Sequence, residues 1–318
     1  MIYSVDWALR KDFRFYNLST EKVQNIKNSL EKLEGFLNSL NESTTFLIEQ
    51  GGGDSFKIMA YRKGHVVLAV PGKRVKEFRD ELALDKTELE KQGIADEADA
   101  ILIGELYKQH PEFFREFSEL DKKTAEVKVL FRTYMDLQKD KVREELRRQA
   151  FVKKAELLDI SKDVLDAILE QKAEVVHRKN KECLKIAKEL EKRLSEFDIY
   201  QRFLRNVKGI GVIVSAGLIS ELWSKTFDSK DAVKCYAGML KKKGNHNYNR
   251  YLKVILYQAS QGFLKNSNPR RVLYDESRAY YEKIHPDWSK GKLHNYALKK
   301  VQTKFLLEVW EQMEQMKC

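Results

Sequence analysis

The chain has 318 residues, 42% of them hydrophobic and 11% aromatic, enough to fill two ordinary cores or one large one and too much for a disordered chain. Its formal net charge of +11 calls for an acidic partner, and nucleic acid fits better than an anionic membrane surface. No apolar run approaches the roughly 20 residues that span a bilayer, the opening MIYSVDWALRKD turns polar too early for a secretion signal, and the scattered Cys183, Cys235 and Cys318 form neither a disulfide framework nor a zinc site, so a cytoplasmic protein with no membrane attachment is expected.

Ile2–Trp7 and Phe13–Leu18 are β-prone runs separated by a polar turn around Arg10–Lys11, and they read as a hairpin. Val23, Ile26, Leu30, Leu33, Leu37 and Leu40 then recur at the 3–4 spacing of one apolar helix face. Phe46-Leu47-Ile48 and Val66–Val70 are continuous apolar runs, as strands covered on both faces require, and Gly51-Gly52-Gly53 and Pro71-Gly72 punctuate their ends. This order predicts a mixed α/β sheet over residues 1–108. From Glu105 to Lys208 glycine is absent and Pro111 is the one proline, so long helices are expected over 109–202. Within them Leu169, Ala173, Val176, Asn180, Cys183, Ala187, Leu190, Leu194 and Phe197 keep strict 4–3 spacing, a seam suited to a coiled coil between subunits, with Asn180 fixing register. An intramolecular hairpin with Phe131–Leu158 is the alternative. Residues 203–318 return to shorter helices rich in aromatics, with positive charge at Lys241-Lys242-Lys243, Arg250, Arg270-Arg271 and Lys299-Lys300. The fold class predicted is therefore α/β followed by all-α.

Four carboxylates stand out in the first region. Asp6 lies within a strand, where an unpartnered carboxylate is costly, and Glu49 ends a buried strand, on the edge where ligands of α/β sheets gather. Asp96 and Asp99, three apart, project from one helix face, although Glu97 and Asp99 also suit an ordinary solvated surface. Two strand ends and a helix can bring such carboxylates together on two divalent cations, and hard oxygen ligands favour Mg²⁺ or Mn²⁺. A two-metal site stabilises the attacking and leaving oxygens of a phosphodiester displacement. Downstream, Val207-Lys208-Gly209-Ile210-Gly211 reads as a helix-hairpin-helix-like turn. There Lys208, Gly209, Gly211 and free N–H groups would hold a phosphate, unless the turn is a buried helix connection. Lys241, Lys242 and Lys243 beside Asn245–Tyr248, with Arg250, suit a nucleic-acid strand or a solvated loop.

Taken in order, Val5-Asp6 with its hairpin, Phe46-Leu47-Ile48-Glu49-Gln50-Gly51-Gly52, the strand through Val70-Pro71, and Asp96-Glu97-Ala98-Asp99-Ala100 resemble the motifs of one family. So do Val207–Gly211, Cys235-Tyr236-Ala237-Gly238-Met239 and Asn249-Arg250-Tyr251-Leu252 further on. The family is that of the bridge-RNA-guided insertion-sequence transposases of the one-ten group, with the related Piv-type DNA invertases. The resemblance implies a RuvC-like, RNase H-fold domain with an Asp-Glu-Asp-Asp metal set at Asp6, Glu49, Asp96 and Asp99. It also implies a C-terminal transposase domain, DNA and a structured guide RNA as partners, and a homo-oligomer. Members carry a serine nucleophile in a Ser-Gly loop between the Tyr-Ala-Gly and Asn-Arg-Tyr-Leu segments. Here the interval Met239–Tyr248 holds no serine, and Ser215, Ser220, Ser229 and Ser260 stand off the motif position. The leading reading is thus a DNA recombinase whose serine is not identified. A RuvC-like nuclease using water and a non-catalytic DNA- or RNA-binding derivative are the alternatives.

Overall fold

The structure, a computed structural model, describes residues 1–7, 11–40, 43–84, 95–158, 160–240 and 248–317. It comprises two compact units, residues 1–122 and 123–318. The turn expected around Arg10–Lys11 lies partly outside the described residues, and Lys241, Lys242, Lys243 and Cys318 lie wholly outside them.

The first unit is built on a mixed sheet of six strands. They are β1 (Ile2–Asp6), β2 (Phe13–Asn17), β3 (Lys22–Ile26), β4 (Thr45–Glu49), β5 (Val66–Val70) and β6 (Arg115–Glu116), in the spatial order β3-β2-β1-β4-β5-β6. The β1–β2 and β2–β3 pairs are antiparallel, β1–β4 and β4–β5 are parallel, and β6 closes the edge antiparallel to β5. This is an RNase H-like arrangement. The helices are α1 (Leu30–Asn38), α2 (Asp54–Arg62), α3 (Gly72–Glu81) and α4 (Ala95–Gln109).

Side chains alternate across the sheet. Val5, Phe15, Phe46 and Ile48 pack on one face with Leu33 and Leu37 of α1 and Phe56 and Ala60 of α2. Leu47 and Val70 pack on the other with Val75 and Phe78 of α3 and Leu102, Ile103 and Leu106 of α4. Covered on both faces, β4 needs its unbroken Phe46-Leu47-Ile48 run.

The helix expected from Val23 onward begins only at Leu30, because Val23 and Ile26 belong to β3, paired with β2 along its whole length. The Ser29 hydroxyl accepts from the Lys32 N–H and caps the true start. Ile26 nevertheless packs on the cluster that holds Leu33 and Leu37. One apolar layer reached from a strand and then from a helix imitates a single helical face in sequence.

The second unit is helical. Its first pair, α5 (Glu119–Leu157) and α6 (Lys162–Leu194), runs antiparallel. The Lys123 ammonium pairs with Glu196 at 2.9 Å, Arg193 with Glu126 at 2.9 Å and Lys179 with Asp140 at 3.4 Å. Lys141 donates to the Asn180 side chain at 2.9 Å. The heptad seam thus has its partner inside the chain: Asn180 is satisfied by Lys141, and Cys183, Leu190, Leu194 and Phe197 are buried. This is the hairpin alternative over the half of the seam from Asn180 to Phe197, while Leu169 and Val176 are half-buried and Ala173 is exposed. Toward the tip, Val142, Leu146, Leu157 and Val164 are exposed.

There follow α7 (Asp198–Arg202), α8 (Val212–Leu222), α9 (Lys230–Tyr236), α10 (Arg250–Lys265), α11 (Arg271–Ile284) and α12 (Lys290–Lys317). The near-continuous apolar run of α8 is buried from Ser215 to Leu222, as a helix surrounded by others demands. A Cβ at Gly217 would stand 2.5 Å from Ile255 of α10 and 3.0 Å from Phe131 of α5, so this glycine sets how closely three helices meet. Among the described residues no helix is long and apolar enough to cross a membrane.

Candidate active site

The first-unit carboxylates are placed by strand alternation and by the direction of α4. Ser4 donates through its hydroxyl to the Ala100 carbonyl at 2.6 Å, so Ser4, and with it Asp6 two residues on, faces α4. Leu47 faces the same side, and Glu49 follows it by two residues. Val5 stands abreast of Ile48 in the parallel pair, so Asp6 and Glu49 end neighbouring strands, which lie about 4.8 Å apart in a sheet. Gly104 of α4 lies over Ser4, Tyr16 and Leu18, whereas Asp96, two turns earlier, bonds to Lys11 beyond the end of β1. The helix therefore runs against β1 and carries its acidic first turn toward the Asp6 end.

Each α4 carboxylate has a basic partner. Lys11 donates to Asp96 at 2.9 Å, and Arg79 of α3 donates to Asp99 at 2.5 Å. The Lys11 amine is held above its ordinary pKa by its hydrogen bond to Asp96, by the charge of Asp96 and, more weakly, by the charge of Asp6. One lysine thus senses carboxylates from both β1 and α4. Glu97, between Asp96 and Asp99 in sequence, is exposed and turns to Arg14 at 3.8 Å. Glu49 lies in a glycine cradle: a Cβ at Gly72 would collide with its Oε1, and one at Gly51 would stand 3.1 Å from it. A Cβ at Gly52 would overlap the Trp7 ring, so the glycine run lets Trp7 close over this loop.

Among the described residues no group of three or more histidine, cysteine, aspartate or glutamate side chains is arranged to hold a metal ion. The donor chemistry nevertheless fits a hard divalent cation. All four groups are carboxylates, Asp6 and Glu49 share one strand edge and one face, and the glycine cradle keeps side-chain carbon away from the Glu49 oxygens.

A transposase family model, of the DEDD type and the IS110 group, matches residues 12–155. Over those residues the chain is similar to that family. The match takes in Glu49, Asp96 and Asp99, together with most of α5, and begins after Asp6. No curated protein matches the chain. The similarity is to a family of transposases, which supports DNA cleavage and transfer as the general class of activity.

In the second unit, the segments around residues 236 and 249 are joined by a part-buried polar network that sequence reading does not single out. The Asn249 amide donates to Glu221 at 2.6 Å and to the Tyr236 hydroxyl oxygen at 2.7 Å. Its carbonyl oxygen accepts from the Leu252 N–H at the start of α10. Arg132 of α5 donates to the other Glu221 oxygen at 3.0 Å. Burial, and then the Glu221 charge, push the Tyr236 phenol up to about 12, so it stays neutral. Gly238, at φ +69°, packs against Tyr248. The network therefore pins both flanks of the 241–247 interval. The one available signal was Glu221, a lone carboxylate in the apolar run Val212–Leu222.

The remaining expected sites divide. Gly209 has φ +91°, and a Cβ there would stand 2.6 Å from the Gly262 carbonyl oxygen of α10. Its glycine is thus required by a backbone-to-backbone helix contact. Asn268 donates to the Lys208 carbonyl at 2.6 Å, while the Lys208 side chain, Gly211 and Arg250 are exposed. Of the four serines, Ser215, Ser220 and Ser260 are buried in the helical core, and Ser229 caps α9 by accepting from the Ala232 N–H. Three of the four are thus shut away from solvent, while Ser229 is exposed and its hydroxyl oxygen caps a helix rather than facing a base that would activate it.

Proposed function

We propose that the chain cuts and rejoins DNA strands with divalent metal held by Asp6, Glu49, Asp96 and Asp99. Bound there, Mg²⁺ or Mn²⁺ would stabilise the attacking and leaving oxygens of the phosphodiester. The observation that carries this reading is the shared edge: Ser4 and Leu47 face α4, so Asp6 and Glu49 do too, and α4 directs its first turn to the same end. Lys11 and Arg79 balance the charge of Asp96 and Asp99 in the metal-free chain. Were metal to take up Asp96 and Asp99, Lys11 and Arg79 would be left to pair with DNA phosphates. A structured RNA acting as guide belongs to this reading through the family resemblance, and the +11 charge suits RNA as well as DNA. The second-unit basic groups Lys208, Lys241, Lys242, Lys243 and Arg250 would supply phosphate contacts.

The absence of serine from Met239–Tyr248 favours water as the attacking group over a protein hydroxyl. The test is cleavage of supercoiled DNA that carries the flanks of the chain's own gene. Mg²⁺-dependent cleavage is expected to fall at least about 100-fold in Asp6→Asn, as the loss of several kcal/mol of transition-state stabilisation implies. Equal cutting by Asp6→Asn, or cutting that persists in EDTA, would overturn the metal reading. Denaturing gels separate the nucleophiles, since a DNA–protein adduct reports a protein hydroxyl and nicked DNA without one reports water.

A further inference from the structure

The corner between α11 and α12 gathers more aromatic surface than a helix turn requires. His285 lies flat on Trp288, with ring centroids 3.8 Å apart and planes at 7°. Tyr296 packs on Trp288 at 4.6 Å. Tyr281 meets Tyr296 edge-on at 5.5 Å, and Tyr280 meets Tyr281 at the same distance. The Lys292 ammonium sits 3.9 Å from the Trp288 ring centre. Tyr281 also stacks on Trp288, at 6.0 Å and 20°, so the indole is shared by His285, Tyr281, Tyr296 and the ammonium. Tyr281 and Trp288 are half-buried and close the corner, but Tyr280 is 59% exposed and Tyr296 42% exposed. Tyrosine rings left that open gain little from folding. Between Arg270 and Lys304 there are nine Lys and Arg against four Asp and Glu, so the rings stand in a positive field.

We infer that this corner is a stacking platform for the unpaired nucleotides of a single-stranded nucleic acid. Every base offers a π-face to an aromatic ring, whereas a duplex keeps its faces covered, so open rings among cations select single strands without reading sequence. A base that stacks on Trp288 takes the place of the Lys292 ammonium, which sits against the ring. The displaced ammonium, on its flexible stem, then reaches the adjoining phosphate and exchanges a cation–π contact for an ion pair. Tyr280 and Tyr296 offer rings to neighbouring bases. Unpaired DNA at a cut site and the loops of a folded RNA share this chemistry. The site uses no carboxylate of the first unit and does not rest on the metal reading.

The test is binding of the full chain to oligo-dT, oligo-rU and a random duplex, each about 15 nucleotides long, a span within the usual single-strand site size. All titrations are done in EDTA, so that their outcome is independent of any metal site. Tryptophan emission should be quenched by the single strands, and Trp288→Phe should remove that quenching. Tyr280→Ala, at an exposed position that folding does not need, and Lys292→Ala should each weaken single-strand binding about tenfold, the scale of one lost base–aromatic stack. Neither should change duplex binding. Tighter binding of oligo-dT or of oligo-rU assigns the platform to DNA or to RNA. Unchanged single-strand affinity in both variants, or an equal loss of duplex binding, would overturn the inference.

Discussion

At the scale of single residues, burial first and a charged partner second set the titration of Tyr236. Its phenol is raised to about 12 by burial and by Glu221, whereas in the unfolded chain it titrates near its ordinary 10. The unfolded state therefore loses its proton first as pH rises. The stabilisation is complete below about pH 10 and is lost between about 10 and 12. Thermal unfolding should show Tyr236→Phe less sensitive than the parent to a change from pH 9 to pH 11, and equal sensitivity would refute the assignment. Asp6 and Glu49 could be read from sequence because a carboxylate among β-branched and aromatic residues is conspicuous. Their companions could not. Lys11 and Arg79 reach Asp96 and Asp99 across 85 and 20 residues of chain, and only the packing of α3 and α4 on the sheet brings them there.

Elements were legible where one physical rule governed them and misleading where two rules overlapped. The β4 and β5 runs were plain because strands covered on both faces leave an unbroken apolar signature. The first helix was drawn too long because β3 and α1 feed one apolar cluster in succession. The heptad of α6 was real, but periodicity does not say whose helix meets the seam, and here α8 packs on α6 while α5 of the same chain pairs with it through polar side chains. Leu190 and Leu194 are fully buried there. Replacing both with Lys should therefore unfold the hairpin, since burying an unpaired ammonium costs several kcal/mol. Circular dichroism should show lost helix and a lower Tm at any protein concentration. A folded variant that merely sediments as a smaller species would restore the intersubunit seam. At the Gly-Ile-Gly turn, too, a sequence pattern had two readings, and the contact with Gly262 supplies the packing reason for Gly209.

For the whole molecule, the excess of 59 Lys and Arg over 48 Asp and Glu makes nucleic-acid affinity salt-dependent. The logarithm of duplex affinity should fall by roughly 0.9 per log unit of salt for each phosphate neutralised. Lys241, Lys242 and Lys243 replaced together by Ala should flatten that slope by up to about 3 in fluorescence anisotropy titrations, if all three meet phosphate. An unchanged slope would remove that segment from the contact surface. Fold class and chemistry come from different parts of this record. The sheet order defines the first unit, while the metal reading rests on where β1 and β4 end and α4 begins. The most direct measurement is therefore Mn²⁺ binding by the full chain, followed by electron paramagnetic resonance and competed with Mg²⁺. The account predicts bound Mn²⁺ that Mg²⁺ displaces, with affinity lost in Asp6→Asn and in Glu49→Gln while both stay folded by circular dichroism. Mn²⁺ binding that is equal in the parent and in both variants would contradict it.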